Sequence, residues 1–216
     1  MSAITAEHDE HHLHNNNALS PAAQVRANRL GLWLFFISEI FLFIALLSAR
    51  FYLWKDNGEI VRPNLDQTLG FLSTGVLLLS SYFMVRAETA IAHDNRQQFL
   101  NSLKIAFVLG LLFLIAVVGF EWGLFGIDIG GHEPLKLSDG AFGAVFYAMT
   151  GMHALHVVSG LIYILIVHRL GKKGEYSAEA HWPVEACALY WHYVDVVWVF
   201  FYPALYLIGS AVSAHG

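Results

Sequence analysis

The chain has 216 residues, of which 56% are hydrophobic and only 13% are charged. This composition is too apolar for an ordinary soluble domain and indicates a membrane protein. The net charge is −5, and the sequence has no basic cluster of the kind that binds nucleic acid, so a nucleic-acid-binding protein is excluded. The single cysteine, Cys187, excludes an intramolecular disulfide and a cysteine-based metal site.

Five apolar stretches are long enough, at about 20 residues, to cross a bilayer as helices. They predict an all-α protein, a polytopic membrane bundle of five transmembrane helices within residues 29–212. Ser138 is expected to cap the fourth helix, and Pro203 is expected to bend the fifth. The predicted spans are Leu30–Trp54, Leu69–Ala92, Phe99–Phe125, Ala141–Arg169 and Val184–Ser210.

Residues 1–28 are polar and include the histidine-rich run EHDEHHLH. They predict a disordered, cytoplasmic tail, although a histidine-rich tract can also capture metal. Eight Lys and Arg residues lie in the N-terminal flank and in the second and fourth loops, whereas four lie on the other side. By the positive-inside rule the N-terminus is predicted to be cytoplasmic and the C-terminus outside.

Glu39 lies within the apolar run LWLFFISEIFLFIALL. At about 1.5 Å per residue it is roughly 13 Å deep, close to the middle of the bilayer. A carboxyl group at this depth is expected to be neutral or to have a partner. It predicts either a proton-handling or lipid-sensing group, or a structural hydrogen bond to a neighbouring helix.

His153 and His156 share one helix face in GMHALHVVSG. Two buried histidines can bind a metal or a haem, but a haem also needs a matching histidine on a facing helix, for which only His192 is a candidate. Interhelical hydrogen bonding is the favoured interpretation.

The run EACALYWHYVDVVW places Glu185, His192 and Asp195 inside the last apolar stretch. Because exposure of such groups to lipid is unfavourable, the three side chains are predicted to form one hydrogen-bonded cluster inside the bundle. A packing clamp against another helix or subunit is favoured over catalysis. Glu121 lies near the outer end of the third span and is a weaker candidate for a buried polar role.

Three motifs, in this order, resemble subunit III of the haem-copper terminal oxidases. RLGLWLFFISEIFLF is similar to the family's third helix, with Glu39 at its buried glutamate. LSDGAFGAVFYAMTGMHALHVVSG resembles the segment with the SDG and GxHGxHV patterns, and Ala154 stands where the family usually has glycine. PVEACALYWHYVDVVW is the most specific match. Longer members have seven spans, and this chain lacks the first two, which contribute to a lipid-filled cleft.

The resemblance implies an accessory, non-redox subunit of a respiratory oxidase in the bacterial cytoplasmic membrane. It implies contact mainly with subunit I, further contacts with other oxidase subunits, support of sustained proton uptake, and bound phospholipid, with Arg169 and Lys172 near the headgroups. Haems and copper then belong to partner subunits, and this chain has no cofactor, metal or catalytic residue of its own. The motifs favour a cytochrome c oxidase. The alternatives are a bo-type ubiquinol oxidase and a free-standing haem-binding membrane protein.

Overall fold

The computed structural model describes residues 20–124 and 135–212. In these residues five helices are long and apolar enough to cross a membrane, so the predicted helical bundle of five spans is confirmed. Most of the predicted histidine-rich tail lies outside the described residues. The helices are α1 (Pro21–Leu53), α2 (Gln67–Ala92), α3 (Arg96–Leu114), α4 (Gly140–Lys173) and α5 (Trp182–Tyr202).

Side-chain caps explain where three of the helices begin. Helix α1 begins before the predicted Leu30, because the Ser20 hydroxyl accepts the backbone N–H of Ala23 at 3.3 Å and good helix formers follow. Asp66 accepts two backbone N–H groups of the first turn of α2. Asn95 accepts the N–H of Gln98 at 3.1 Å at the start of α3.

The start of α4 differs from the prediction. Asp139, not Ser138, precedes the first helical residue, Gly140. The Asp139 carboxylate accepts the backbone N–H of Lys136 at 2.7 Å and so stabilises the turn that leads into the helix. At the other end α4 continues past Arg169 to Lys173, where Gly174 takes the left-handed conformation that ends many helices (φ 87°).

Two helices change to π-helix near the same end of the bundle. Helix α3 continues as Ile115–Glu121, and α5 continues as Pro203–Leu207. Pro203 has no N–H to donate to the preceding turn, so the α-helical hydrogen bonding of α5 ends at the residue where a bend was predicted. The π-helical segment of α3 was not predicted, and such segments are frequent at functional sites.

A small three-stranded sheet was also not predicted. Its first two strands are antiparallel and are joined by Asn57 and Gly58, both with positive φ (48° and 87°). The second and third strands are parallel, with Val61 opposite Ser210, so the sheet joins the segment after α1 to the segment after α5. The strands are β1 (Lys55–Asp56), β2 (Glu59–Pro63) and β3 (Ser210–Val212).

The chain divides into two compact units after Ser38. In the first unit, Trp33 and Phe36 of α1 are in edge contact, with ring centroids 5.8 Å apart. The second unit contains the rest of α1, helices α2 to α5 and the sheet. Its helices alternate in direction, so the α2–α3 turn and the α4–α5 loop lie at one end, here named the turn end. The sheet lies at the other, the sheet end.

Trp191 is the centre of packing among α3, α4 and α5. Its fully buried ring lies against Gly110 and Gly160, where an added Cβ would come within 2.6 Å and 2.8 Å of the indole. The indole N–H donates to the Ser80 hydroxyl at 3.1 Å, and that hydroxyl donates to the carbonyl of Ala106 at 2.8 Å. Small residues thus let a large aromatic ring pack closely and still satisfy its polar atom.

Candidate functional site

Glu39 and His156 form a pair between α1 and α4. Oε2 of Glu39 is 3.1 Å from Nε2 of His156. Nδ1 of His156 is 2.9 Å from the Met152 carbonyl, which can only accept, so Nδ1 is a donor. Glu39 and Nε2 of His156 therefore hold one proton between them when the pair is neutral. Of the two interpretations of Glu39, the structure contains the hydrogen bond to a neighbouring helix, and a role in proton handling or lipid sensing stays a prediction.

Hydroxyl groups extend this pair toward α5. The Ser159 hydroxyl donates to the His156 carbonyl at 2.8 Å, and its oxygen is 2.5 Å from the Tyr190 hydroxyl. Helix α4 thus contacts α1 through the His156 ring, and contacts α5 through Ser159 beside the His156 carbonyl.

His153 has a different environment, although it shares a helix face with His156. It is 1% exposed, and its ring lies 4.9 Å from Trp198 and 5.7 Å from Phe113. Within the described residues neither ring nitrogen has a hydrogen-bond partner. The prediction of interhelical hydrogen bonding is correct for His156 and wrong for His153, because aromatic rings enclose the latter.

The predicted single cluster of Glu185, His192 and Asp195 is wrong. Oε1 of Glu185 is 3.5 Å from Nε2 of His181, in the first turn of α5. Nδ1 of His192 is 3.0 Å from the hydroxyl of Ser81 in α2, which also hydrogen-bonds the buried Asp195. Seven residues separate Glu185 from His192 by about 10 Å along the helix, which is too far for contact. His192 and Asp195 meet through Ser81 instead.

Arg50 is a buried polar residue that was not predicted as a site residue and was counted only as one of the four basic residues of the outer side. It is fully buried, and its Nε and Nη2 donate to the carbonyls of Ala204 (2.6 Å) and Ile208 (2.5 Å). Its guanidinium lies 4.8 Å from the ring of Trp54. Arginine at a helix C-terminus satisfies free carbonyls, so its position in the last turn of α1 was a usable signal.

Glu121 pairs with Tyr206, and the two π-helical segments each contribute one residue to this pair. The Tyr206 hydroxyl donates to Oε2 of Glu121. Oε1 of Glu121 is buried and has no hydrogen-bond partner among the residues that the structure describes. Gln67 donates to the backbone carbonyl of Tyr206 at 3.0 Å and connects this pair to α2.

The basic residues at the turn end remain exposed. Arg169 and Lys172 lie in the last turns of α4 with exposed side chains, a position compatible with the predicted headgroup contact, which stays a prediction. Arg96 donates to the carbonyls of Gly171, at 3.0 Å, and Lys172, so it caps α4. In the α4–α5 loop, burial raises the pKa of the Tyr176 phenol.

In residues 20–124 and 135–212 no three His, Cys, Asp or Glu side chains are grouped in a way that could hold a metal ion. Cys187 is buried and free. The fold and these contacts define a polytopic helical membrane protein whose buried polar groups join its own helices.

Comparison with known proteins identifies the family. The family model for cytochrome c oxidase subunit III matches residues 10–210. The cytochrome c oxidase subunit 3 of Rhinoceros unicornis is 31% identical, covering 88% of this chain and 73% of the relative. The proteins of that name from Ovis aries (30% identical; 88% and 73% covered) and Halichoerus grypus (30%; 84% and 70%) are also similar. The chain belongs to the cytochrome c oxidase subunit III family, and the resemblance stated from its motifs is confirmed.

Proposed function

We propose that the chain is the accessory, non-redox subunit III of a respiratory haem-copper oxidase. In this role it packs on subunit I, contacts other oxidase subunits, binds phospholipid and supports sustained proton uptake. Family membership supports the assignment to an oxidase. The observation that carries the non-redox role is that both ring nitrogens of the membrane histidine His156 are engaged in hydrogen bonds, Nε2 with Glu39 and Nδ1 with the Met152 carbonyl.

These contacts also disfavour the free-standing haem protein. Axial haem ligation uses an imidazole nitrogen that must be available to the iron. Nε2 of His156 contacts Glu39 and Nδ1 contacts the Met152 carbonyl, so both ring nitrogens of His156 are engaged. His153 is enclosed by Trp198 and Phe113, which leaves no room for a planar macrocycle at its ring.

Exposed apolar side chains support packing against another subunit or against lipid. In the part of α1 that belongs to the second unit, Phe41 and Ile44 are 70% and 53% exposed. A membrane helix with large apolar side chains at its surface has lipid or another protein as its surroundings. We assign the contact with subunit I to this surface of α1.

The orientation and the electron donor are also part of the proposal. The N-terminus is assigned to the cytoplasmic side of a bacterial membrane and the C-terminus to the outside. The basis is the excess of Lys and Arg on the side of the N-terminus, eight residues against four on the other side. Cytochrome c is the favoured electron donor because of the EACALYWHYVDVVW run and Glu39, and ubiquinol is the alternative.

The test is to purify the oxidase complex with and without this chain and to follow oxygen uptake through many turnovers. We expect intact haem and copper spectra and normal initial oxygen consumption, followed by faster loss of activity when the chain is absent. Immediate and complete loss of activity with a missing haem band would show a redox centre in the chain and overturn the proposal.

A further inference from the structure

A groove between α2 and α3 opens at the turn end, beside the Asn95 cap of α3. It consists of two adjoining cavities of about 420 and 330 Å³, which share Arg86, Asn95 and Gln98 in their walls. This volume lies within the range of small-ligand sites in proteins.

Arg86 gives the groove its charge. It is exposed, and it lies six residues before the end of α2 at Ala92, about 9 Å below the polar turn. No hydrogen bond or ion pair joins Arg86 to another residue in the described part of the chain. A guanidinium within a membrane-spanning helix is unfavourable unless it reaches water or an anion, so Arg86 is expected to have a partner from outside the chain.

The nearby acidic residues face elsewhere. Neither cavity has an aspartate or glutamate in its wall. The carboxylate of Asp94, in the turn itself, accepts the backbone N–H of Ala178 at 2.8 Å. Glu88 interacts with Glu185 and His181 at the start of α5. The groove is therefore positive and suits an anion.

Neutral amides add hydrogen-bond donors beside Arg86. The side-chain oxygen of Gln98 accepts from Asn95 at 3.0 Å, and that of Asn101 accepts from Gln97 at 3.2 Å. The amide oxygens of Gln98 and Asn101 are thus occupied, while their NH₂ groups remain as donors. Phosphate oxygens only accept hydrogen bonds, so this arrangement matches a phosphate better than it matches a cation.

Apolar side chains continue from the groove toward the middle of the membrane. They recur at intervals of three and four residues, so they form one face on each helix. On α3 the apolar face begins one turn after Asn101, and on α2 it ends beside Arg86. The polar groove and the apolar faces are therefore continuous along the surface of the two helices. Their exposed fractions are 48% for Leu78, 58% for Tyr82, 48% for Val85, 41% for Ile105, 53% for Val108 and 49% for Leu112.

We propose that this groove binds an anionic glycerophospholipid. The phosphate contacts Arg86, Gln98 and Asn101, and an acyl chain lies along the apolar faces of α2 and α3. An anionic lipid is favoured over a zwitterionic one because the groove has a cation but no carboxylate to pair with a headgroup ammonium. The site lies on different helices from Arg169 and Lys172, and it deepens the lipid binding of the proposed function, on which it rests.

Photo-crosslinking of the purified complex in phosphatidylcholine vesicles tests the site. One set of vesicles contains phosphatidylglycerol with a diazirine on its acyl chain, and the other contains phosphatidylcholine with the same diazirine chain. We expect stronger labelling of residues 78–112 by the phosphatidylglycerol probe. Arg86→Gln should reduce that labelling about fivefold, the factor expected for one arginine at a membrane surface, and Arg86→Lys should keep most of it.

Lys104→Gln is the matched control, because Lys104 is an exposed cation of α3 that interacts with His168 of α4 and does not line the groove. It should leave the labelling unchanged. Equal labelling by the two probes, or labelling that Arg86→Gln does not change, would overturn the proposal. Absence of labelling by both probes would show that a partner subunit covers the groove, and would also overturn it.

The same samples separate this proposal from the assignment to an oxidase. If the chain purifies without haem and still prefers the phosphatidylglycerol probe, the groove stands and the proposed function fails. If haem co-purifies and the probe preference is absent, the proposed function stands and the groove fails.

Discussion

The arginine side chains at the two ends of the bundle differ in burial and in their partners. At the sheet end, Arg50 is fully buried and donates to the carbonyls of Ala204 and Ile208. At the turn end, Arg96 donates to the carbonyls that end α4 but remains exposed, and Arg86 has no partner among the described residues. Arginine therefore joins two helices at the sheet end, whereas at the turn end the positive charge of Arg86 is available to an anion from outside the chain.

Burial decides which of these contacts contributes most to stability. A buried carbonyl that loses its donor cannot be rehydrated, whereas an exposed one exchanges the donor for water. The sheet end should therefore govern the stability of the chain, and the turn end should govern what it binds at the membrane surface. The following four experiments test this contrast.

The largest expected effect is that of Arg50→Leu. The buried carbonyl of Ala204 and the partly buried carbonyl of Ile208 lose their donor and the contact with Trp54 is lost, so the free energy of unfolding should fall by about 3 kcal/mol. Unfolding of the detergent-solubilised protein with increasing denaturing detergent measures this change. Lys55→Gln, an exposed cation at the same end, is the control and should change stability by less than about 0.5 kcal/mol. Similar values for the two variants would contradict the contrast.

Tyr206→Phe should have the next largest effect. It removes the hydroxyl that donates to Oε2 of Glu121 and so leaves this partly buried oxygen without its donor, at a loss of about 2 kcal/mol in the free energy of unfolding. Tyr202 stacks on Tyr206, with ring centroids 5.4 Å apart, so Tyr202→Phe is a matched control that removes a different hydroxyl. We expect little change in the control. Equal losses would mean that the contact with Glu121 contributes no stability of its own.

Arg96→Gln should lower stability by about 1 kcal/mol, because water replaces the donor at the carbonyls of Gly171 and Lys172. The same denaturation assay compares it directly with Arg50→Leu. A loss as large as that of Arg50→Leu would show that burial does not separate the two capping arginines.

The smallest effect on stability is expected for the double variant Arg169→Gln and Lys172→Gln. Both side chains are exposed, so the free energy of unfolding should change by less than about 0.5 kcal/mol. Binding of anionic phospholipid at these two residues after a detergent wash should nevertheless weaken about thirtyfold, which is about fivefold for each cation. Quantification of co-purified lipid by mass spectrometry measures this, with Lys55→Gln as the control. Unchanged lipid retention would remove the headgroup role of these two residues.

The sequence predicted features that depend on local chemistry. The five spans follow from apolar runs of membrane length, and the change in α5 follows from the missing N–H of Pro203. The hairpin at Asn57 and Gly58 was not predicted, although this dipeptide favours a two-residue turn between strands.

Partners between helices could not be predicted in the same way. Glu185 and His192 lie seven residues apart on one helix, yet their partners, His181 and Ser81, are set by the neighbouring turn and by α2. His153 and His156 occupy one face, and only the position of Glu39 on α1 distinguishes them. Such pairs depend on how each helix is rotated about its axis and shifted along it relative to its neighbours in the bundle. The periodicity of a single sequence does not determine these two quantities.

The position of Arg50 also has a consequence for biogenesis. Its two acceptors, Ala204 and Ile208, lie 154 and 158 residues later in the chain. During synthesis α1 therefore enters the membrane with an arginine whose partners have not yet been made. Closure of the sheet end must wait for insertion of the last helix, and β3 can then join β2. A chain that stops before Ala204 would leave the Arg50 guanidinium without these acceptors at the end of α1, a feature by which membrane quality control could recognise incomplete molecules.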